Sequence, residues 1–364
     1  MGVGASRVLV TGGAGFIGSF VVDALVEAGG DVVVIDNLAP WAHVALPDYL
    51  NAQARYLWRD VRDAVAWREA LDGVDVVCHQ AGKVGLGVDF ADSEDFVLHN
   101  DLGWAVGLGV LHEVGFRGRV VLASSMVVYG EGGYRCARDG SVRPGPRLVA
   151  DLDAGRFEPR CPECGGELEG EPIPESAPTD PRNVYAATKL HQEHLLAAFA
   201  REHAIDACWL RYHNVYGPRM PRDTPYAGVA SVFRSALEKG FAPQVNEDGR
   251  QRRDFVHVRD VAQVNVAALL GDEPLRGPVN VGSGTPHTVL EMAEALAAAY
   301  GARSGDERWP RVTGAYRLGD VRHVFAATAL AHDVYGLRPS VSFADGMTEL
   351  ATTNFRDSAA PRRL

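Results

Sequence analysis

Residues 8–18 read Val-Leu-Val-Thr-Gly-Gly-Ala-Gly-Phe-Ile-Gly, a β-branched apolar run that ends on a glycine turn and restarts as a helix. Phe16, Ile17, Val21, Val22, Leu25 and Val26 recur at helical spacing, Gly29-Gly30 stops the helix, and Val32 to Ile35 forms a second apolar run. Strand, glycine turn, helix and strand in this order make a βαβ unit. The absent side chains at Gly12, Gly15 and Gly18 allow a tight turn, approach of the backbone to a pyrophosphate, and close packing of helix on strand. The helix N-terminus favours the phosphate charge. Asp36 closes the second strand about twenty residues on, where a carboxylate accepts hydrogen bonds from ribose hydroxyls and repels a 2′-phosphate. NAD is therefore the expected cofactor, ahead of NADP. Asp60-Val61, at the end of the next strand, suits either the adenine amine or an ordinary helix cap.

Short β-branched runs continue to alternate with helical patterns at Val74 to Cys78, Val120 to Ala123 and Cys208 to Arg211. The predicted fold class is α/β: a Rossmann-type doubly wound parallel sheet with a smaller C-terminal substrate-binding lobe. The expected division places the NAD-binding domain at residues 1–217, interrupted by an inserted segment at about 131–180. The lobe takes mainly 218–353, and a disordered polar tail 354–364. Length (364 residues), 46% apolar and 23% charged composition fit a folded globular chain.

A net charge of −11 argues against nucleic acid as a partner and means that an anionic substrate needs locally placed arginines. No apolar run is long enough to cross a bilayer, and the start lacks a basic segment followed by a long apolar one, so a cytoplasmic location and no membrane partner are expected. The formal myristoylation pattern at Met1 to Ser6 runs straight into the first strand with no second membrane signal.

Tyr185 and Lys189 stand four residues apart, on one face of a helix. A cation near a phenol favours phenolate, which can take a proton from an alcohol. Ser124-Ser125 ends an apolar strand and Asn100 sits in an earlier helix. With these residues the sequence resembles the extended short-chain dehydrogenase/reductase family, and within it the nucleotide-sugar epimerases and decarboxylases. The motifs are the glycine turn, His79-Gln80-Ala81-Gly82, Ser124 to Gly130, Tyr185 to Lys189, Arg211 to Arg219 and Arg253 to Val258.

The resemblance implies that Tyr185 is the base, Lys189 its activator and ribose ligand, and Ser125 the hydroxyl steadying the reacting oxygen. It implies further cofactor contacts from Phe16, Ile17, Asn37, Gln80, Ala81 and Asn100. Lys83, Asn214, Arg253, Arg317 and Asp320 are the expected substrate ligands, with Asn214, Arg253 and Arg317 on the diphosphate and Asp320 near the nucleoside. The resemblance further implies a UDP- or dTDP-linked sugar as substrate and a homodimer paired through helices around Asn100 to Glu113 and Tyr185 to Ala200.

Such enzymes oxidise a sugar carbon and differ in what the keto sugar does next. Related dehydratases carry an Asp-Glu pair after the catalytic hydroxyl residue, and decarboxylases a Glu; here Met126-Val127 cannot exchange protons. Return of the hydride to the opposite face, a 4-epimerisation, is the expected reaction. Hexuronate decarboxylation is the alternative, and a catalytically silent NAD-sensing regulator, which would lose the tyrosine or lysine, the alternative of another class.

Cys78 and Cys208 fall in strands and belong to the core. Cys161-Pro162-Glu163-Cys164-Gly165-Gly166 forms a knuckle-like turn in the insertion, and Cys136 brings a third thiol, with Asp139 three residues later as a fourth ligand for structural zinc. Free thiols in a reducing compartment are the competing reading. The resemblance extends to a subset of epimerases, including dTDP-rhamnose 4-epimerase-like proteins, with a cysteine-bearing insertion of this kind. Entering near Tyr129 and leaving before Tyr185, the insertion is expected to act as a lid on the sugar site.

Overall fold

The computed structural model describes residues 6–85, 90–222 and 228–356. In chain order, β1 (Arg7–Thr11), α1 (Phe16–Glu27), β2 (Asp31–Asp36), β3 (Arg55–Trp58), α2 (Ala64–Ala70) and β4 (Val76–His79) come first. They are followed by α3 (Ser93–Phe96), α4 (Gly103–Glu113) and β5 (Arg119–Ser125). The insertion holds β6 (Gly133–Cys136), β7 (Gly140–Val142), α5 (Val149–Asp153) and β8 (Leu168–Glu171). Then come α6 (Val184–His203), β9 (Ala207–Tyr212), β10 (Asn214–Tyr216), α7 (Val229–Glu238), β11 (Gln244–Val245) and β12 (Arg252–His257). The chain continues with α8 (Val258–Leu270), β13 (Gly277–Val281), β14 (Pro286–Thr288), α9 (Val289–Ala299), β15 (Arg311–Val312) and α10 (Phe343–Thr352).

Seven parallel strands form the central sheet in the order β13-β9-β5-β4-β1-β2-β3. Its strands are apolar on both faces, which is why their sequences read as continuous runs. Val8 and Val10 pack with Val21 and Leu25 of α1 and Val261 and Ala268 of α8. Leu9 points the other way, toward Trp67 of α2, Trp104 of α4 and Leu196 and Phe199 of α6. Trp67 and Trp104 have no exposed surface, and truncating either to alanine should cost about 3–5 kcal/mol. Cys78 and Cys208 are fully buried in this core, as expected.

Two features depart from the division read in the sequence. Strand β13 and helix α8 lie beyond residue 217 yet complete the central sheet, so the chain crosses back from the smaller lobe. The tail is ordered further than predicted: Phe355 packs in the lobe's core with Phe233, Leu296 and Leu350, and Arg356 donates its backbone N–H to the Met220 carbonyl at 3.0 Å. Residues 357–364 lie outside the described residues. Among the described residues no helix is long and apolar enough to cross a membrane.

Candidate active site

The glycine turn sits where β1 meets α1. Gly12 has φ +71° and a Cβ there would lie 2.7 Å from the Ala81 nitrogen; a Cβ on Gly18 would stand 2.1 Å from the Gly12 carbonyl oxygen. Only hydrogen fits at either place. Gly15 caps α1 without a side chain, so the first N–H groups of the helix receive no side-chain cap. Gly12, Gly15, Phe16, Ile17 and Gly18 line one end of a cavity of about 1080 Å³.

Asp36 accepts hydrogen bonds from the backbone N–H of Ala14 at 3.0 Å and Leu38 at 2.9 Å. Burial pushes its carboxyl up, against these two bonds and the positive charge of Arg356. Asp60, left open between adenine ligand and cap, is neither helix cap nor free: Asp63 caps α2, while Arg62 takes the Asp60 carboxylate at 2.9 and 2.8 Å and Asn37 donates to it at 2.9 Å. Arg62 accordingly holds Asp60 well below the usual carboxylate range. Asn37, Asp60 and Val61 all line the cavity.

Two of the lining residues that the sequence reading missed stand out here. His43 is buried, its pKa pushed down to about 4 first by burial and then by Arg356, and Arg356 itself comes from the segment expected to be disordered. Neither carries a local signal; only the fold brings Arg356 near both His43 and Asp36.

Asn183 starts α6 by accepting the Ala186 N–H at 2.9 Å, which fixes the rotation of Tyr185 and Lys189 toward the end of β5. Ser124 and Ser125 separate there. Ser124 donates to Glu193, whose carboxylate is also gripped by Arg211 at 3.0 and 2.7 Å. Ser125 is left for the cavity, its hydroxyl accepting the Val127 N–H at 3.4 Å and standing near enough to the Tyr185 phenol to lower it. Lys189 is 3% exposed, donates to the Ala123 carbonyl at 3.0 Å, and is lowered by burial to about 8. The predicted acidification of Tyr185 is not present in this arrangement: burial raises the phenol to about 12, and the relieving partner is Ser125, not Lys189. The reason is direction, since the ammonium is turned onto the Ala123 carbonyl.

Three expected ligands are bonded within the protein. Asn100 has no exposed surface; it accepts the Lys83 N–H at 2.7 Å and donates to the Lys83 carbonyl at 3.0 Å and to Thr188 at 2.9 Å, so it fixes the Gly82-Lys83 wall from behind. Gln80 lines the cavity beside Ala81, but its amide donates to Tyr212 and Asn265, both at 3.0 Å. Lys83 also lines it, its ammonium paired with Asp95 and lying 5.0 Å from the centre of the Phe96 ring.

Asn214, Arg253, Arg317 and Asp320, the expected substrate ligands, line the same cavity. The buried Asn214 Oδ1 has no protein partner. The Arg253 guanidinium is 8% exposed in its residue and donates to the carbonyls of Arg252, Arg322 and Val321 at 2.9, 2.8 and 2.7 Å. Met126 and Val127 follow Ser125 along the wall, and the lining carboxylates among the described residues are Asp36, Asp60 and Asp320.

No described residue of 131–180 lines the cavity, so in this structure the insertion does not stand over it as the expected lid. Its three strands form a separate sheet in the order β7-β6-β8. Cys136, Asp139, Cys161 and Cys164 converge there with their donor atoms all within 4.8 Å of one another. The Asp139 Oδ2 lies 3.2 Å from both the Cys136 and Cys161 sulfurs, and Gly165, at φ +71°, lets the knuckle turn back on Cys161.

Comparison with known proteins agrees with this geometry. Residues 8–147 and 162–282 match the NAD dependent epimerase/dehydratase family. A dTDP-L-rhamnose 4-epimerase of Burkholderia thailandensis is 35% identical over 361 residues, covering 96% of this chain and 95% of that protein. Among solved structures, the Thermotoga maritima UDP-glucose 4-epimerase with UDP-glucose superposes with a TM-score of 0.76 at 27% identity, covering 95% of this chain and 97% of that one. The Thermus thermophilus UDP-glucose 4-epimerase in complex with NAD gives 0.74 at 30% identity, with the same two coverages of 95% and 97%. With its glycine turn, a Ser-Tyr-Lys set and relatives matched along almost its whole length, this chain belongs to the NAD dependent epimerase/dehydratase family.

Proposed function

We propose that the protein is an NAD-dependent 4-epimerase of a UDP- or dTDP-linked sugar. The observation that carries this reading is one cavity lined by Ser125 and Tyr185, by Met126-Val127, and by Asn214, Arg253, Arg317 and Asp320. The glycine turn, the uncapped start of α1 and Asp36 fit a dinucleotide, and the orphaned Asn214 Oδ1 with two arginines fits a sugar nucleotide. The reaction is oxidation of sugar C4 to a ketone and re-reduction from the opposite face, bound NAD supplying the hydride acceptor and then donor.

The chain's own residues manage the proton and the orientation. Tyr185 Oη takes the C4 hydroxyl proton and later returns it, Ser125 Oγ holds the same oxygen, and Lys189 Nζ supplies the positive charge that favours the phenolate once it turns from Ala123. Arg253 and Arg317 hold the diphosphate so that the sugar can present either face. Met126 and Val127 offer no proton, so neither elimination nor decarboxylation is assisted. Incubation with UDP- and dTDP-hexoses and hexuronates, followed by product separation, tests this: a C4 epimer is expected, and carbon dioxide from a hexuronate would overturn it.

Two finer assignments belong to the same reading. The Cys136, Asp139, Cys161 and Cys164 cluster fits a tetrahedral structural zinc, and elemental analysis of protein purified without chelators should find about one equivalent. The helices around Asn100 to Glu113 and Tyr185 to Ala200 pair two copies of the chain, consistent with exposed Val97 and Leu102 (45% and 43%) on that side; sedimentation should show a dimer at micromolar concentration.

A further inference from the structure

The insertion does not cover the cavity, yet it touches the segment that forms its arginine wall. Glu131, buried at the entry to the insertion, accepts the backbone N–H of Arg322 at 2.8 Å and the Tyr134 hydroxyl at 2.7 Å. Gly132 donates to the His323 carbonyl at 3.1 Å, so close that a Cβ would stand 2.1 Å from that oxygen. Glu158 accepts from the Arg322 Nε and pairs with the His323 Nε2, both at 2.9 Å. Arg147 reaches furthest: it donates to the Asp320 carbonyl at 2.7 Å and pairs with Glu247 at 2.8 Å, and both side chains are almost fully buried, 5% and 2% exposed.

Arg322 closes the network from the other side. It has no exposed surface and pairs with Glu158, Glu247 and Asp248. Glu247 is held at φ +54°, a strained backbone for a non-glycine residue, between the Ala315 carbonyl at 2.7 Å and the Gly314 N–H at 3.1 Å. Residues 314–323 are thus held at one end by the Glu247 backbone and at the other, from Asp320 to His323, by charged side chains, and the carbonyls of Val321 and Arg322 in turn aim the Arg253 guanidinium.

We propose that Arg147 and Glu158 are positioning residues for nucleotide-sugar binding, acting through the Glu247–Arg322 pair to fix Arg253, Arg317 and Asp320. This rests on the reading of those three as the nucleoside-diphosphate wall. The insertion is a buttress behind the wall. Low-dielectric ion pairs of this kind are sensitive to loss of one member, which leaves an uncompensated buried charge, and the wall would lose its single geometry.

The test is titration calorimetry of UDP and of dTDP into the NAD-loaded enzyme. Arg147→Met should weaken whichever diphosphate the wild type binds by tenfold or more, raise KM for the sugar nucleotide similarly, leave kcat within about threefold and leave NAD affinity unchanged, with Arg147→Lys recovering part of the loss. In the Arg253→Ala background, the loss caused by Arg147→Met should be smaller than in wild type, because one of the groups it positions is gone. If Arg147→Met no longer binds NAD, Glu158→Gln, on a half-exposed side chain, decides by the same measurements. Diphosphate affinity unchanged in a variant that binds NAD, or diphosphate and NAD affinities falling together in Glu158→Gln, overturns the proposal. Wild-type enzyme that binds neither UDP nor dTDP overturns the diphosphate-wall reading, before any substitution is made.

Discussion

Replacing Lys189 by methionine should make the apoprotein more stable while removing most of its activity. The ammonium is 3% exposed, and burial lowers it from its ordinary 10.5 to about 8. At about 1.4 kcal/mol for each tenfold change in proton affinity, that fall costs the folded protein roughly 3 kcal/mol at pH 7. Loss of the hydrogen bond to the Ala123 carbonyl gives back about 1–2 kcal/mol, so the net gain from methionine, similar in length and apolar, is about 1–2 kcal/mol.

The sign with pH follows from the direction of the shift. A lysine lowered in the folded state penalises folding fully below about 8, and the penalty fades as pH rises toward 10.5, where the unfolded chain also loses the proton. Urea unfolding of the two apoproteins at pH 7 and pH 10 measures this: the advantage of Lys189→Met should be present at pH 7 and lost or reversed at pH 10. Its kcat/KM should fall by about 100-fold to 10,000-fold, the usual worth of an activated proton-transfer group. A variant less stable than wild type at pH 7, or a stability difference equal at both pH values, would refute the burial argument.

Tyr185→Phe should reduce kcat by about 1000-fold or more, with NAD still bound in the purified protein, because the phenol moves the proton while the glycine turn holds the cofactor; turnover within a few fold of wild type would sink the mechanism. Gly18→Ala puts a Cβ 2.1 Å from the Gly12 carbonyl oxygen, a backbone clash that should cost about 1–3 kcal/mol and weaken NAD binding by about tenfold or more, read by fluorescence titration. If the four-donor cluster holds zinc, chelation should lower the melting temperature and raise KM for the sugar nucleotide with little effect on NAD affinity, since the cluster's sheet backs the arginine wall and not the glycine turn. Equal losses in both affinities would argue against that separation.

What the sequence alone determined is what depends on neighbours within a turn or a strand. The glycines at 12, 15 and 18, the apolar runs that became β1, β2, β4, β5 and β9, and the four-residue step from Tyr185 to Lys189 are legible because helix and strand periods act locally. The cavity-lining positions of Arg253, Arg317 and Asp320 follow from family resemblance, since nothing in the local period distinguishes the strand residue Arg253 or the loop residues Arg317 and Asp320. Only the tertiary structure decided what those groups are bonded to. Asn100 serves Lys83, Asp60 is claimed by Arg62, and Lys189 faces Ala123, none of which changes the local pattern. The insertion shows this most clearly: its polar, glycine-rich sequence suggested a flap, whereas Arg147 bonds Asp320 across 173 residues and Glu158 bonds Arg322 across 164. Such contacts are set by which surfaces the packed core brings together, and a buried charge takes whatever partner it meets there because leaving it unpaired would cost several kcal/mol.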